Sequence, residues 1–173
     1  TTDKLITLKN SAADEPISEI NQFLTPEVRQ NYSDYEMMYR RGILMYGPPG
    51  TGKTSTAICV ARSFIKQHDG IVLLDPQPGY VAQCINLYRE FDPCRLFLVM
   101  FEELEMHVDN DEESLLSLLD GTNSVDNTIF LATTNHLEDV EPRIKNRPSR
   151  FARKVFVGPP TLEIRTLFLK QRV

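Results

Sequence analysis

Eight consecutive residues combine three glycines, a lysine and a terminal hydroxyl group in a spacing suited to holding phosphate. They are Gly47, Pro48, Pro49, Gly50, Thr51, Gly52, Lys53 and Thr54. The run fits the pattern G-x-x-x-x-G-K-[ST], in which glycines let backbone N–H groups point inward at phosphate oxygens. The lysine adds positive charge near the β- and γ-phosphates, and the hydroxyl is a ligand for Mg²⁺. The sequence therefore predicts a loop that binds a nucleoside triphosphate with magnesium, without separating a kinase, a GTPase and an ATPase.

Two adjacent carboxylates, Glu102 and Glu103, follow an apolar run at residues 96–101. A buried strand that delivers two carboxylates next to a phosphate loop is what hydrolysis of a triphosphate requires. Because side chains alternate along a strand, the two groups must take different roles. We assign Glu102 to magnesium, through its shell of ordered water, and Glu103 to orienting the attacking water. Without the phosphate loop, the pair would be interpreted as a solvated junction between strand and loop.

Asn135 ends a second apolar run, and ligands bind at the carboxyl ends of strands in a parallel sheet. Its amide is therefore expected beside Glu103, orienting the same water, although a lone Asn after a strand is ordinarily a turn residue. Arg147 and Arg150 lie in a basic segment at residues 143–154. The default interpretation is a solvated face. The alternative is an arginine finger that stabilises charge on the γ-phosphate, from the same chain or from a second molecule, and the sequence leaves that choice open.

Short apolar runs alternate with helical patterns along the chain, which predicts a three-layer α/β fold with a parallel sheet. The predicted strands are 43–46, 71–74, 96–101, 128–133 and 154–157, and the predicted helices are 53–67, 81–91, 112–119 and 161–171. Acidic residues before 112 are cap candidates, and Gly121 is a candidate stop. A further helix is expected to begin at Pro26, capped by Thr25, and to run toward Tyr39.

The chain of 173 residues has 41% hydrophobic residues and a net charge of −5. This composition predicts one compact domain and gives no general basic surface for nucleic acid. No apolar run approaches the roughly 18–20 residues that cross a bilayer, and no leader pattern is visible, although the chain begins at Thr1. The three cysteines lack metal-ligand spacing, which favours a reducing, intracellular setting.

The four blocks, in this order, resemble the AAA (AAA+) ATPase family over about residues 40–160. Residues 47–54 resemble its Walker A motif and residues 98–103 its Walker B motif, with Glu102 where Asp is usual. Asn135 falls at the position of its sensor-1 residue. Residues 147–151 resemble the R-P-G-R-F end of its second region of homology, with Ser149 replacing glycine. In that family the two arginines reach into a neighbouring subunit's ATP site, a role that the resemblance carries to Arg147 and Arg150.

Several short segments indicate particular subgroups within the family. Residues 39–42, 115–121 and 133–136 are similar to the mitochondrial inner-membrane chaperones that move a folded Rieske iron–sulfur protein. Residues 143–151 are also similar to phage-encoded AAA proteins, and we rank a phage or bacterial relative above a mitochondrial one. Family pore loops often carry an aromatic–hydrophobic pair after the second strand. Tyr80 and Val81 are the candidates, the alternative being an aromatic side chain that packs at a helix start.

The resemblance implies a P-loop fold with strand order 5-1-4-3-2, ATP and Mg²⁺ as cofactors, and a hexamer or related ring. It divides the chain into an N-terminal linker or helical segment (1–41), the ATPase core (42–160) and the start of an otherwise absent helical lid (161–173). The expected function is ATP-driven remodelling or translocation of a protein substrate by a homo-oligomer. The alternatives are a DNA-linked ATPase of the helicase-loader or clamp-loader type, a weakly hydrolysing ATP-dependent switch, and a nucleotide kinase. The expected location is the cytoplasm, with a phage-encoded protein in its bacterial host as one setting.

Overall fold

A computed structural model describes residues 12–120, 123, 125–144, 150–161 and 166. Within these ranges, five parallel strands form one sheet in the order β2-β3-β4-β1-β5. The strands are β1 (Arg40–Tyr46), β2 (Ile71–Leu74), β3 (Phe97–Phe101), β4 (Thr128–Thr134) and β5 (Arg153–Phe156). This order is the predicted 5-1-4-3-2 counted from the opposite edge, so the predicted fold is confirmed.

Helices cover both faces of the sheet. They are α1 (Asp14–Phe23), α2 (Pro26–Asp34), α3 (Lys53–His68), α4 (Pro78–Arg89), α5 (Leu104–Asp120) and α6 (Leu137–Ile144). Along β1, Leu44 packs in the cluster shared with α4, α5 and α6, whereas Ile43 and Met45 pack in the cluster shared with α1 and α3. Because alternate residues of each strand point to opposite layers, a strand buried on both faces is apolar throughout.

Several predicted boundaries differ from those observed. β1 begins at Arg40 rather than at residue 43, and α4 begins at Pro78 rather than at residue 81 because proline fits the first helical turn. α2 ends at Asp34 and does not run on toward Tyr39. Thr25 does occupy the N-cap position of α2. Its hydroxyl, however, donates backward to the Gln22 carbonyl, so the predicted side-chain cap is wrong.

Helix α5 contains one non-helical residue, Asp111 (φ −156°, ψ 66°), that divides it. The second part begins where the sequence predicts a helix, and an acidic cap is confirmed, because Asp111 Oδ1 accepts a hydrogen bond from the Ser114 N–H at 3.2 Å. The first part was missed. It is positioned by Leu104 and Val108, which are both buried in the core and lie one helical turn apart.

Helix α1, which the sequence interpretation missed, is attached to the edge of the sheet that β1 and β5 form. Its residues Ile20 and Phe23 pack in the α3 cluster. Its Glu19 accepts hydrogen bonds from the Arg41 guanidinium, with Arg41 Nε at 2.9 Å. Its Glu15 accepts from Arg153 Nη2 at 2.7 Å. The N-terminal helix is therefore paired with both strands of that edge.

Some predictions lie outside the described residues, namely the stop at Gly121 and nearly all of the helix at 161–171. The division of the chain at residues 41/42 and 160/161 stays a prediction. Where the structure describes helices, none combines the length and the apolar character needed to cross a bilayer.

Candidate nucleotide-binding site

The loop at residues 47–54 joins the end of β1 to the start of α3. Gly50 and Gly52 have φ values of +78° and +89°, and a Cβ atom built on either would meet no atom within 4 Å. Glycine adopts this left-handed conformation without steric cost, so the loop can curve around open space at the N-terminus of α3. Backbone N–H groups at a helix start attract anions. The loop therefore fits a phosphate group.

Lys53 lies inside this loop and is only 7% exposed. Its Nζ donates to the Gly47 and Pro48 carbonyl oxygens, each at 2.8 Å. Burial lowers the pKa of the Lys53 ammonium from its usual value, and the negative charges of Glu105 and Glu103 oppose this shift. The charge predicted to contact the β- and γ-phosphates is therefore in the loop, next to carboxylates at the end of β3.

Thr54 and Glu102 are brought together from distant parts of the chain. The Thr54 hydroxyl donates to Glu102 Oε2 at 3.1 Å, and Glu102 is half-buried. A hydroxyl and a carboxylate supply the hard oxygen ligands that Mg²⁺ prefers. The two predicted metal residues thus fit the ion, and the longer Glu side chain at this position reaches the threonine of the loop.

Glu103 has a φ of +46°, the left-handed region that a non-glycine residue rarely occupies. This conformation costs on the order of 1–3 kcal/mol and persists only where surrounding contacts impose it. One such contact joins β3 to β4, because the Glu103 N–H donates to Thr133 Oγ1 at 3.2 Å. The side chain is exposed. Strain at this residue is consistent with the predicted role of Glu103 at the attacking water.

Asn135 reaches the same rim of the sheet. Tyr46 pairs with Thr134 in the β1–β4 ladder, so Asn135 follows directly beside the first residue of the phosphate loop, one strand spacing of about 4.8 Å away. Its backbone N–H donates to Glu105 Oε1 at 3.3 Å. The loop, the carboxylate pair and the Asn135 backbone therefore meet at one edge, as the strand-end argument predicts, and the position of the Asn135 amide stays a prediction. Their catalytic roles stay predictions.

Arg150 is elsewhere. A Cβ atom built on Gly42 would lie 1.8 Å from the Arg150 carbonyl oxygen, so the Arg150 backbone passes against the early part of β1. From Gly42 to the phosphate loop, β1 rises for five residues, roughly 16 Å at 3.3 Å per residue. The Arg150 side chain is 9% exposed. Arg147, the second candidate finger, lies outside the described residues.

Three residues near the site were missed or undervalued by sequence reasoning. Asp75 accepts the Glu102 N–H, Thr133 accepts the Glu103 N–H, and Glu105 accepts the Asn135 N–H. Glu105 Oε2 is also buried without a hydrogen-bond partner in the described part of the chain. Asp75 could have been found by the rule that selected Glu102 and Asn135, because it is the first polar residue after an apolar strand.

A parallel sheet of this order, with a triphosphate loop after β1 and a carboxylate pair after β3, defines a P-loop nucleoside triphosphatase. The family model described as "ATPase family associated with various cellular activities (AAA)" matches residues 43–159, more than half of the chain. The protein belongs to this AAA family, and the prediction of an AAA ATPase is confirmed.

Curated relatives come from all domains of cellular life. A probable mitochondrial chaperone, bcs1, of Schizosaccharomyces pombe is 30% identical over 88% of this chain and 38% of its own length. The Cell division cycle protein 48 homolog of Archaeoglobus fulgidus is 32% identical over 75% of this chain and 20% of its own. An "AAA ATPase forming ring-shaped complexes" of Corynebacterium diphtheriae is 32% identical over 75% of this chain and 31% of its own length. The predicted likeness to a mitochondrial chaperone is confirmed, and the chain spans well under half of each relative.

Proposed function

We propose that this protein hydrolyses ATP as a ring of identical subunits and uses the cycle to remodel or translocate a protein substrate. The observation that carries the proposal is the separation within one chain between the phosphate loop and Arg150. The Arg150 backbone is held at Gly42, roughly 16 Å along β1 from the loop. An arginine finger at this position is too distant from its own loop and would act in a neighbouring subunit's site, for which the Arg150 side chain, 9% exposed in the single chain, has to turn outward.

Binding is the work of the loop. The backbone N–H groups at the start of α3 and the Lys53 ammonium neutralise the triphosphate, while Gly50 and Gly52 leave room for its oxygens. Thr54 and Glu102 would hold magnesium, which supplies neutralisation of phosphate charge when bound.

Hydrolysis then transfers the γ-phosphoryl group of ATP to water. Glu103 accepts a hydrogen bond from the water and polarises it, as the water oxygen forms a bond to phosphorus and the bond to the ADP oxygen breaks. Asn135, at the adjacent strand end, orients the same water. The neighbour's Arg150 stabilises the charge on the transferring oxygens, and both protons of the water leave on the inorganic phosphate. Loss of the γ-phosphate removes the charge to which the neighbour's arginine was bound, so the contact between subunits relaxes.

A protein substrate is favoured by two observations. The net charge of −5 gives no broad surface for a nucleic-acid backbone. At the start of α4, Tyr80 is 61% exposed, whereas Val81 is buried in the core at 1%. Only the aromatic member of the expected pair is thus placed to contact a substrate. The chaperone and ring-forming relatives agree with this class of function.

The proposal is tested by mixing two inactive variants. Glu103→Gln is expected to bind ATP without turnover, and Arg150→Ala to bind ATP and hydrolyse it slowly, since arginine fingers contribute about 10³–10⁵ in rate. In a mixed ring, the pocket of an Arg150→Ala subunit still contains Glu103. When the neighbour is a Glu103→Gln subunit, it supplies Arg150, so that this pocket has both catalytic groups. With random assortment about a quarter of sites are complete, and turnover should rise well above both parents.

A matched control replaces Arg150→Ala in the mixture by Lys53→Ala/Arg150→Ala, which cannot bind ATP in the pocket that keeps Glu103. That mixture should stay inactive. Absence of any gain in the first mixture, with both proteins folded and associated, would count against a shared site. Stimulation of wild-type turnover by DNA but not by unfolded protein would favour the DNA-linked ATPase instead.

A further inference from the structure

Asp75, the first residue after β2, holds the carboxylate pair through its side chain. Its own N–H donates to the Met100 carbonyl at 2.7 Å, which fixes Asp75 beside the end of β3. Its Oδ1 accepts hydrogen bonds from the Glu102 N–H at 3.1 Å and from His107 Nε2 at 2.8 Å. One oxygen atom thus joins the first residue after β3 to the first part of α5.

This contact replaces the sheet where the sheet ends. Leu74 and Met100 are the last residues paired between β2 and β3. Beyond them, the Glu102 N–H has no backbone acceptor on β2, and the Asp75 carboxylate takes that place. On the β2 side, the direction in which the chain leaves β3 toward Glu102 therefore depends on a side chain, whereas on the other side β3 stays paired with β4 as far as Phe101.

His107 closes the other end of the turn. Its ring packs edge to face on Phe101, with centroids 5.0 Å apart, and its side chain is only 16% exposed. The turn between Phe101 and His107 contains the left-handed Glu103, a conformation that neighbouring contacts must impose. Asp75 and His107 supply contacts on one side of this turn, and Thr133 supplies one on the other.

We propose that Asp75, supported by His107, is a positioning residue for Glu102 and Glu103, acting on magnesium binding and on hydrolysis rather than on nucleotide affinity. Asp75, His107 and the two glutamates line one open cleft of about 440 Å³. The phosphate loop contacts Glu102 through Thr54, and within the described residues no hydrogen bond joins that loop to Asp75. The inference rests on the proposed function, since it assigns a support to the same catalytic carboxylates.

The test compares Asp75→Ala, which removes the acceptor, with Asp75→Asn, whose amide oxygen still accepts from both N–H groups. Asp75→Ala should lower kcat by roughly tenfold or more, because a shift of about 1 Å in a catalytic group costs up to 10²-fold. It should also raise the magnesium concentration that gives half-maximal rate, with the affinity for a fluorescent ATP analogue in EDTA within about twofold of wild type. Asp75→Asn should restore most of both. Asp92→Ala, which removes a carboxylate bonded only to the remote Arg95, is the matched control and should change neither.

A cycle with Glu103→Gln separates positioning from general damage. If Asp75 acts on hydrolysis through Glu103, adding Asp75→Ala to Glu103→Gln should cause no further loss of whatever slow turnover Glu103→Gln retains at saturating magnesium. The magnesium dependence of analogue binding in the Glu103→Gln background should still shift, and this readout does not need ATP turnover. His107→Leu should change the same quantities in the same direction by a smaller factor, and it serves if Asp75→Ala does not fold.

Unchanged kcat and magnesium dependence in folded Asp75→Ala would overturn the inference, as would an equal loss of analogue affinity in EDTA. These outcomes differ from failure of the proposed function. If the wild type hydrolyses no ATP at any protein concentration, the proposed function is wrong, whereas the shift in magnesium-dependent analogue binding still decides the role of Asp75.

Discussion

Gly42→Ala perturbs the backbone contact that positions the candidate arginine finger, Arg150, and leaves the phosphate loop unchanged. The added Cβ would lie 1.8 Å from the Arg150 carbonyl oxygen, 2.8 Å from its carbonyl carbon and 3.0 Å from the Phe151 Cα. All three are backbone atoms, and Gly42 itself is held in the β1–β4 ladder opposite Phe130. Ordinary contact begins at 3.4 Å, so the Arg150 segment must move by about 1.6 Å (3.4 − 1.8).

Two effects follow from a movement of this size. Overpacking of a buried site costs typically about 1–3 kcal/mol, which lowers the unfolding temperature of a chain of this length by roughly 2–12 °C. Displacement of a catalytic group by more than 1 Å costs on the order of 10²-fold in turnover. ATP affinity should stay within about twofold of wild type, because the loop lies at the opposite end of β1.

The assay is ATPase activity against protein concentration, on samples whose folded fraction is measured by circular dichroism at the same temperature. Gly70→Ala is the matched control, because its Cβ would lie 2.1 Å from the Phe64 ring and far from Arg150. It should lower the unfolding temperature without lowering turnover per folded molecule. Wild-type turnover in folded Gly42→Ala, or an equal loss in Gly70→Ala, would refute the reasoning.

Three further changes test other parts of the chain. Lys53→Ala should abolish measurable ATP binding in calorimetry, because it removes the cation inside the loop, whereas Lys66→Ala on the exposed face of α3 should bind normally. Glu105→Gln keeps an acceptor for the Asn135 N–H but removes a negative charge that opposes the effect of burial on the pKa of Lys53. The pKa of Lys53 should therefore fall further, so that ATP affinity begins to decline at a lower pH as the pH is raised. The same pH dependence of ATP affinity as in the wild type would contradict this. Tyr39→Phe removes a hydroxyl that donates to the Phe23 carbonyl in the core and should lower the free energy of unfolding by about 1 kcal/mol in urea titrations. Burial also raises the pKa of Tyr39 above 10.0, with Arg29 opposing, so wild-type stability is full below pH 10 and falls as pH rises through the higher folded value, and the variant should lack this loss.

Local chemistry was sufficient to predict the convergence of the site. Gly47–Thr54, Glu102 and Asn135 each follow an apolar run, and the carboxyl ends of parallel strands meet at one rim. The contacts that hold these groups could not be predicted from the sequence, because they join residues far apart in the chain. Asp75 meets Glu102 across 27 positions, and Gly42 meets Arg150 across 108 (150 − 42). Single-sequence patterns carry no information about such pairs.

Helix α1 and the early part of α5 were missed for a different reason. Helix α1 does carry a helical pattern, because Ile17, Ile20 and Phe23 recur at three-residue spacing, but it was overlooked in a segment that is otherwise polar. In the early part of α5, helical spacing is limited to Leu104 and Val108 before the break at Asp111. These helices owe their positions to packing against neighbours that are themselves placed by the sheet. Packing in the assembled core therefore adds to an apolar spacing that the sequence of α1 already displays.

The ion pairs of α1 with Arg41 of β1 and Arg153 of β5 connect that helix to the backbone around Arg150. Arg41 adjoins Gly42, and Arg153 follows Arg150 by three positions, so each anchor of α1 borders the backbone that would shift when a neighbour's triphosphate is engaged. A lateral movement there would swing α1 like a lever fixed at its two glutamates. In the ring proposed above, hydrolysis in one pocket would thus tilt the amino-terminal helix of the adjoining subunit.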